Sequence, residues 1–470
     1  MFLPEHSYYD NEELISAFTD LMAEFFNTIY PKESAADHKK RAQAIIDFEK
    51  KFKATYPLPA DFRKRYTEPR YVTREEFFKR TNVIGLEKFF AQHIPASTLV
   101  RDFIPESFEF AQKELKPGVI ERDSQMKFPT EEVKKMAELG FLGMMVDPQY
   151  GGGGMDTLSY VLAMEEISKI DASASVCMSV NNSLVCWGLE TFGTEEQKQK
   201  YLVPLAKGEI IGAFCLSEPE AGSDATSQRT TAIDKGDHYL LNGTKNWITN
   251  GGTASVYLVM AQTDVAKGHK GINCLIVEKG TPGFTVGPKE NKLGIRGSDT
   301  HSLMFTDVRV PKANRIGEDG FGFKFAMKTL AGGRIGIASQ ALGIASGAYE
   351  LALKYSKERK AFGKEISQHQ AIQFKLADMA TEIEAARLLC LKAAWLKDQH
   401  GNYDLAGSMA KLYASKVAMD TTVEAVQVHG GYGYVKEFHV ERLMRDAKIT
   451  QIYEGTSEIQ KIVIARAVTS

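Results

Sequence analysis

Long apolar runs, an excess of one charge and closely paired cysteines are all missing from this sequence. Charged residues interrupt every apolar run well before the roughly 18 residues that a membrane-spanning helix needs, so no such helix is predicted. The formal net charge is −2 and the basic residues are scattered, which argues against a nucleic-acid or anionic-membrane surface. The five cysteines show no Cys-x-x-Cys spacing and are interpreted as small buried hydrophobes, not as metal ligands or disulfide partners. A cytoplasmic protein without a metal site is therefore expected.

The first 30 residues also lack lysine and arginine, although they carry six acidic side chains. A secretory signal starts with basic residues, and a transit peptide is rich in arginine and poor in acids, so neither is predicted. Helical periodicity in residues 1–96 instead predicts a separate helical extension of unknown role. We expect its Phe and Leu faces to pack on the rest of the protein, because apolar faces of this size are seldom left exposed.

The period of the hydrophobic pattern changes twice in the rest of the chain. Residues 97–210 have helical spacing, residues 211–322 contain short β-type segments, and residues 323–470 return to helical spacing. The β-type segments are 211–216, 238–241, 255–259, 272–277 and 302–305, and the long C-terminal helices are expected at about 323–356, 367–399, 403–430 and 456–468. The sequence predicts a mainly α protein with an N-terminal helical domain, a central antiparallel β-barrel or sandwich, and a C-terminal four-helix bundle.

Two glycine-rich stretches do not have the pattern of a nucleotide-binding loop. No Lys-Ser/Thr pair follows Gly151–Gly154 and no strand clearly leads into it, so a flexible connection is favoured. The stretch Gly317–Gly322 has the wrong spacing and follows no βαβ pattern, which disfavours a classical nicotinamide site.

Two segments of the β-rich part carry residues suited to binding a cofactor. The first, Phe214–Asp224, ends a strand in a turn rich in hydroxyl groups, which suits a cofactor's polar edge and phosphates. An ordinary β-turn is an equally good interpretation of that segment alone. In the second, Lys245–Gly252, Trp247 and Thr249 share one face of a strand and offer a stacking plane and a hydrogen-bond donor. A packed core tryptophan is the alternative there.

A third segment, Arg445–Gln460, carries a candidate base. Its apolar and aromatic residues lead to Glu454, which is followed by Gly455 and the helix-capping Thr456. A carboxylate in a largely apolar pocket has a raised pKa and becomes a competent base. A solvated loop glutamate is the alternative, and this segment alone does not exclude it.

Taken together, the three segments resemble the acyl-CoA dehydrogenase family over about residues 98–470. They occur in the family's order and at its approximate spacing, together with Arg359–Gly363 and Gln427–Gly431. Within the family, the chain is most similar to the short-chain (butyryl-CoA) branch. That likeness is carried by Ser179–Leu184, Lys292–Ser298 and Gly333–Ala345.

The resemblance implies FAD as the cofactor and assigns residues to two binding sites. The cofactor-binding residues would be Phe214, Leu216, Ser217, Gly222, Ser223, Trp247, Ile248, Thr249, Arg359, Phe362, Gln370, Gln427, Gly430, Gly431, Thr456 and Glu458. The substrate-binding residues would be Ser223, Gly333, Arg334, Tyr453 and Gly455. Many members carry Thr at position 217 and Gln at position 458. Four parts of the first list, namely Arg359, Phe362, Gln370 and the turn Gln427–Gly431, would hold the ADP half of a neighbouring subunit's FAD. This implies a homo-oligomer, most simply the family's tetramer.

The resemblance also implies α,β-dehydrogenation of a short-chain acyl-CoA. Glu454 would remove the α-proton while the β-hydrogen passes as hydride to flavin N5, and electrons would leave through an electron-transfer flavoprotein. Some relatives place the base just before the arginine equivalent to Arg334, but this chain has Gly333 there. Ala331-Gly332 stands where short-chain members tend to carry larger residues, so a branched-chain, medium-chain or aromatic substrate stays open. An acyl-CoA oxidase and a non-catalytic flavoprotein are the remaining alternatives.

Overall fold

The computed structural model describes residues 16, 34–40, 42–44 and 103–469. The chain divides into two compact units, Met1–Pro105 and Glu106–Ser470, and the second contains every candidate site residue. The predicted helical extension at 1–96, and the expectation that it packs on the rest of the protein, fall mostly outside the described residues.

The chain between residues 103 and 206 is helical. Its helices are α1 (Phe103–Phe110), α2 (Val119–Ser124), α3 (Thr130–Glu138), α4 (Thr157–Ile170), α5 (Ala172–Ser179), α6 (Trp187–Phe192), α7 (Glu195–Gln197) and α8 (Val203–Ala206). Aspartates start the two central helices: Asp156 accepts a hydrogen bond from the Ser159 N–H, and Asp171 accepts from the N–H groups of Ser173 and Ala174. The predicted flexible connection at Gly151–Gly154 is instead a hydrogen-bonded turn.

Residues 212–316 form one eight-stranded sheet. Its strands are β1 (Gly212–Cys215), β2 (Thr231–Asp234), β3 (His238–Thr249), β4 (Val256–Gln262), β5 (Ile272–Glu278), β6 (Phe284–Lys289), β7 (Thr300–Pro311) and β8 (Arg315–Ile316). The order is β6-β7-β3-β2-β4-β5-β8, with β1 beside β4. Most neighbours are antiparallel, as predicted, but β1 and β2 each pair with β4 in parallel. Every residue of β4 is buried, as expected of a strand with an unbroken apolar run.

The C-terminal part is helical, as predicted. It contains α9 (Gly322–Glu358), α10 (Gln370–Asp398), α11 (Asp404–His429), α12 (His439–Ala447) and α13 (Ser457–Thr469), with a small hairpin of β9 (Lys360–Ala361) and β10 (Lys364–Glu365). The pattern did not predict α12. Helix α9 packs on α10 and α11 and also on α4. Glycines allow that approach, because a Cβ at Gly343 would overlap the Glu165 carbonyl and one at Gly347 the Lys169 carbonyl.

Candidate active site

Glu454 lies in a tight left-handed turn just before α13. Its φ is +50°, and Gly455 follows with a φ of +92°. Thr456 then caps the helix, since its Oγ1 accepts a hydrogen bond from the Ile459 N–H at 3.3 Å. The turn presents the Glu454 carboxylate to α9 instead of letting it follow the surface of α13.

Gly333 of α9 provides the space that this carboxylate occupies. A Cβ built on Gly333 would lie under 3.0 Å from Glu454 Oε2 and 2.7 Å from Leu184 Cδ2. Any other residue at position 333 would therefore push the carboxylate away. Gly333, which was predicted to contact the substrate, therefore lies next to the candidate base in the structure.

The environment of Glu454 favours the neutral acid. Its Oε2 atom is buried and has no hydrogen-bond partner among the described residues. Burial raises the pKa of Glu454 to about 7, against the opposing effect of Lys411 and Arg334. A carboxyl group that titrates near neutral pH is suited to take up a proton. This geometry argues against a solvated loop glutamate.

Arg334 follows Gly333 on α9 and lies close enough to Glu454 to act on its charge. Its Nη1 donates to Ser408 Oγ at 3.2 Å, while its buried Nε has no partner in the described part of the chain. Burial lowers the pKa of Arg334, and the nearby carboxylates of Asp404 and Glu454 oppose that shift. Arg334 therefore keeps one N–H group available for a ligand.

Tyr453 ties the base segment to the N-terminal helices through Gln340. The Tyr453 hydroxyl donates to Gln340 Oε1. The Gln340 Nε2 donates in turn to the Ala172 carbonyl at 2.9 Å and to Ser175 Oγ at 3.0 Å. Sequence reasoning did not single out Gln340. Its only signal was a polar residue within the otherwise small and apolar run that follows Gly333.

Two further buried side chains that sequence reasoning missed hold the backbone after Glu454. Lys411 Nζ donates to the Gly455 carbonyl at 2.5 Å, and Gln460 Nε2 donates to the same oxygen at 2.9 Å. Both side chains are fully buried. Burial lowers the pKa of Lys411 to about 8. In the sequence, Lys411 could have been noticed because it lies beside the small apolar residues Ala410 and Ala414, which are buried on the same side of α11.

A β-bulge aims Trp247 outwards. The pairing of β3 with β7 slips between Lys245 and Ile248, and Trp247 inside the slip has a φ of +62°. As a result 60% of the Trp247 side chain is exposed, while Ile248 belongs to the apolar core of the sheet. Thr249 returns to the ladder opposite Thr300 and is half-buried. The packed core tryptophan considered above is therefore excluded.

A buried ion pair joins this bulge to the turn after β1. Lys245 Nζ donates to Glu218 at 2.7 Å, to the Leu216 carbonyl at 3.0 Å and to Gln228 at 3.2 Å. The backbone N–H of Asn246 donates to the Ser217 carbonyl at 2.9 Å. The structure thus brings the first two predicted segments together.

The surface formed by these two segments fits a flavin. It combines the exposed Trp247 ring with a turn in which Gly222 and Ser223 are exposed. An added Cβ at Gly222 would meet nothing within 4 Å, so a ligand can approach the backbone there. Phe214, also predicted at this site, stacks on Phe325 of α9 with ring centroids 6.4 Å apart.

The remaining predicted cofactor residues form a second, exposed group. The group consists of Arg359, Phe362, Gln370, Gln427, Gly430 and Gly431. The Arg359 guanidinium lies 5.8 Å from the Tyr432 ring, which connects the β9 hairpin to the turn after α11. The Phe362 side chain is 97% exposed. In the described part of the chain, no hydrogen bond or ring contact joins this group to Glu454. Glu458 is exposed as well, on the first turn of α13.

Three family models match consecutive parts of the chain. They describe the acyl-CoA dehydrogenase N-terminal domain (residues 101–209), middle domain (213–308) and C-terminal domain (320–469). The chain belongs to the acyl-CoA dehydrogenase family. The predicted fold class and the predicted resemblance are both confirmed.

Relatives of this family member resemble it over most of their own length. The short-chain-specific acyl-CoA dehydrogenase of Clostridium acetobutylicum is 53% identical over 367 residues, which are 78% of this chain and 96% of that protein. The solved structure of butyryl-CoA dehydrogenase from Megasphaera elsdenii is 50% identical, with a TM-score of 0.77 over 78% of this chain and 97% of that one. A chain from a structure described as the electron transferring flavoprotein of Acidaminococcus fermentans is 52% identical, with a TM-score of 0.78 over 79% and 99%.

Two features are missing from the described residues. None of their helices has the length and apolar character needed to cross a bilayer. None of their His, Cys, Asp and Glu side chains gather into a group of three or more that could hold a metal ion.

Proposed function

We propose that this protein is an FAD-dependent dehydrogenase that converts a short-chain acyl-CoA into its trans-2-enoyl-CoA, with Glu454 as the catalytic base. The observation that carries the proposal is the Glu454 carboxylate, whose Oε2 is buried, lies against Gly333 and has no hydrogen-bond partner in the part of the chain that the structure describes. The short-chain and butyryl-CoA relatives, at 50–53% identity, support the substrate class.

The α-proton of the substrate moves to the Glu454 carboxylate, whose pKa is raised towards neutral pH. In the reaction the α-carbon–hydrogen bond of the thioester breaks and a Glu454 Oε–H bond forms. The thioester oxygen gains negative charge in that step and needs a hydrogen-bond donor. The backbone N–H of Glu454 donates to no acceptor among the described residues, so it is available for this purpose. The exposed Trp247 ring and the turn with Gly222 and Ser223 would hold FAD, which when bound would supply the acceptor for the β-hydrogen as hydride.

Two kinds of protein partner belong to the proposed function: other copies of this chain and an electron-transfer flavoprotein. The 97% exposure of Phe362 and the exposed Arg359–Tyr432 contact support a homo-oligomer, a tetramer in our proposal, in which this group meets a neighbouring subunit's FAD. An electron-transfer flavoprotein is the proposed electron acceptor, and the chain's similarity to the Acidaminococcus fermentans structure supports it.

We also propose that the protein is cytoplasmic and that its chain has four parts. The chain's five cysteines all lie in the described part, where each is a free, buried thiol, and this supports a cytoplasmic location. We retain the division into an extension (1–96), a helical domain (97–210), a β domain (211–322) and a C-terminal helical domain (323–470) as part of the proposal.

Anaerobic bleaching of the flavin by a panel of acyl-CoAs tests the proposal. We expect butyryl-CoA to reduce the holoenzyme faster than branched, medium-chain or aromatic acyl-CoAs do. A different order of rates would mean a different substrate. The space beside Gly332 leaves room for this, because only the end of the Lys397 side chain lies within 4 Å of a Cβ added there. Rapid reoxidation by air would indicate an oxidase instead.

The variant Glu454→Gln tests the base. It keeps the size of the side chain, so we expect normal FAD content and butyryl-CoA binding. Flavin reduction should fall by about four orders of magnitude or more, because amide nitrogen and oxygen cannot take up the α-proton. Retained reduction by this variant would refute Glu454 as the base.

A further inference from the structure

The carbonyl oxygen of Gly455 accepts hydrogen bonds from two fully buried side chains. Lys411 reaches it from α11 at 2.5 Å, and Gln460 reaches it from α13 at 2.9 Å. This oxygen belongs to the residue directly after the candidate base Glu454. We call Lys411, Gln460 and the Gly455 carbonyl the carbonyl clamp.

The turn held by the carbonyl clamp has a backbone conformation that the chain disfavours. The left-handed φ of Glu454 is a strained conformation for a residue with a side chain. Gly455 cannot be replaced without a clash, since an added Cβ would lie 2.6 Å from Gln460 Nε2. A hydrogen bond from a charged donor is stronger than one between neutral groups, so the clamp can offset the strain of this turn.

Lys411 also contributes a charge beside the base. The groups that act on Glu454 are the Lys411 ammonium from α11 and the Arg334 guanidinium from α9, both of which stabilise its carboxylate form. The buried hydroxyls of Tyr160 and Tyr453 are neutral, because burial raises the pKa of each. Glu458 acts on Lys411 itself and favours its charged form.

Lys411 and Arg334 differ in what they can contact. Arg334 has a buried Nε without a partner in the described part of the chain, so it can bind a ligand. Lys411 is fully buried, and its ammonium already donates to Gly455. Lys411 can therefore act on the reaction only through Glu454.

We propose that Lys411 is a positioning residue for proton abstraction. Its ammonium, together with the Gln460 amide, fixes the turn that presents Glu454 to α9, and its charge favours the carboxylate form of Glu454, which is the form that accepts a proton. The inference rests on the proposed function, because it presupposes that Glu454 is the base.

The test compares Lys411→Met with Gln460→Met in the FAD-loaded enzyme. Both substitutions remove one donor of the carbonyl clamp, but only the first removes a charge. The rate of anaerobic flavin reduction by butyryl-CoA is measured from about pH 6 to about pH 9, a range that brackets the titration of the base. FAD content and butyryl-CoA binding are measured on the same samples.

For Lys411→Met we expect the midpoint of the rate profile to move to higher pH. Glu454 must be ionised to accept the proton, and the loss of a neighbouring cation makes ionisation harder. A shift of about one pH unit gives a rate about tenfold lower on the acid side of the profile, and at high pH the rate should recover to the level set by the loss of one clamp donor, as in Gln460→Met. For Gln460→Met we expect a lower rate at every pH and an unchanged midpoint, because the turn is loosened without a change of charge.

An unchanged midpoint in Lys411→Met would overturn the inference, whether the rate is normal or uniformly reduced. If Lys411→Met does not load FAD, Lys411→Arg and Lys411→Gln replace it. The arginine should keep the wild-type midpoint and the glutamine should shift it, and equal midpoints would overturn the inference. The variant Glu454→Gln separates the two proposals, since flavin reduction by that variant would refute the base itself, independently of Lys411.

Discussion

The substitution Gly333→Ala should reduce the rate of flavin reduction far more than it reduces stability. The added methyl group would lie 2.7 Å from Leu184 Cδ2 and under 3.0 Å from Glu454 Oε2, where ordinary contacts begin at 3.4 Å. The carboxylate therefore has to move by on the order of 1 Å. A displacement of that size can lower a catalytic rate by about 10²-fold.

The expected change in stability is much smaller, because two effects oppose each other. Replacing glycine by alanine inside a helix stabilises it by about 0.5–1 kcal/mol. Overpacking against Leu184 and Glu454 costs about 1–3 kcal/mol. The net loss of about 0–2.5 kcal/mol lowers Tm by only about 1 °C per kcal/mol in a chain of 470 residues, because the entropy of unfolding grows with chain length.

Stopped-flow reduction by butyryl-CoA and thermal unfolding of the holoenzyme provide the two measurements. The neighbouring Gly332→Ala is the matched control. Its methyl group would lie 3.5 Å from Lys397 Nζ, an ordinary contact, and does not meet Glu454, so this variant should gain the helical stabilisation and lose far less of the rate than Gly333→Ala. A wild-type rate in Gly333→Ala would refute the placement of Glu454 against α9, and an equal loss in both variants would show that α9 tolerates no added methyl here.

Two other predictions concern residues away from the base. Lys245→Met leaves Glu218 buried without its cationic partner, so the free energy of unfolding in urea should fall by about 3–5 kcal/mol. Lys200→Met breaks an exposed ion pair and should change this free energy by less than about 1 kcal/mol. Equal losses in the two variants would contradict this account of the Lys245 pair. Phe362→Ser should leave the subunit folded, because the Phe362 side chain is 97% exposed, but should lower the mass measured by sedimentation equilibrium. An unchanged mass would remove Phe362 from the proposed subunit interface.

The sequence was sufficient for the main elements and for the choice of a candidate base. The change from helical to alternating spacing located the sheet, and the five predicted β segments correspond to β1, β3, β4, β5 and β7. Strands β2, β6 and β8 were missed because they are short and only partly buried. Glu454 was chosen as the candidate base because its segment occurs together with the two other segments in the order that resembles the family, whereas the segment alone also fits a solvated loop glutamate.

The supporting residues could not be predicted, because their roles depend on contacts between distant parts of the chain. Lys411 and Gln460 meet at Gly455 only once α11 and α13 have packed together. A single buried lysine or glutamine in a helical pattern resembles an ordinary surface residue. The outward orientation of Trp247 likewise depends on a one-residue slip between β3 and β7, which alternation of apolar residues does not reveal.

Gln340 has a consequence for how activity appears as the protein folds. One amide group contacts Tyr453 through its oxygen and the α5 region through its nitrogen, so the base segment, α9 and the N-terminal helices share a single hydrogen-bond chain. A folding intermediate in which any one of these layers is undocked lacks the complete chain and therefore a correctly placed Glu454. The enzyme should therefore gain activity together with its last long-range contacts.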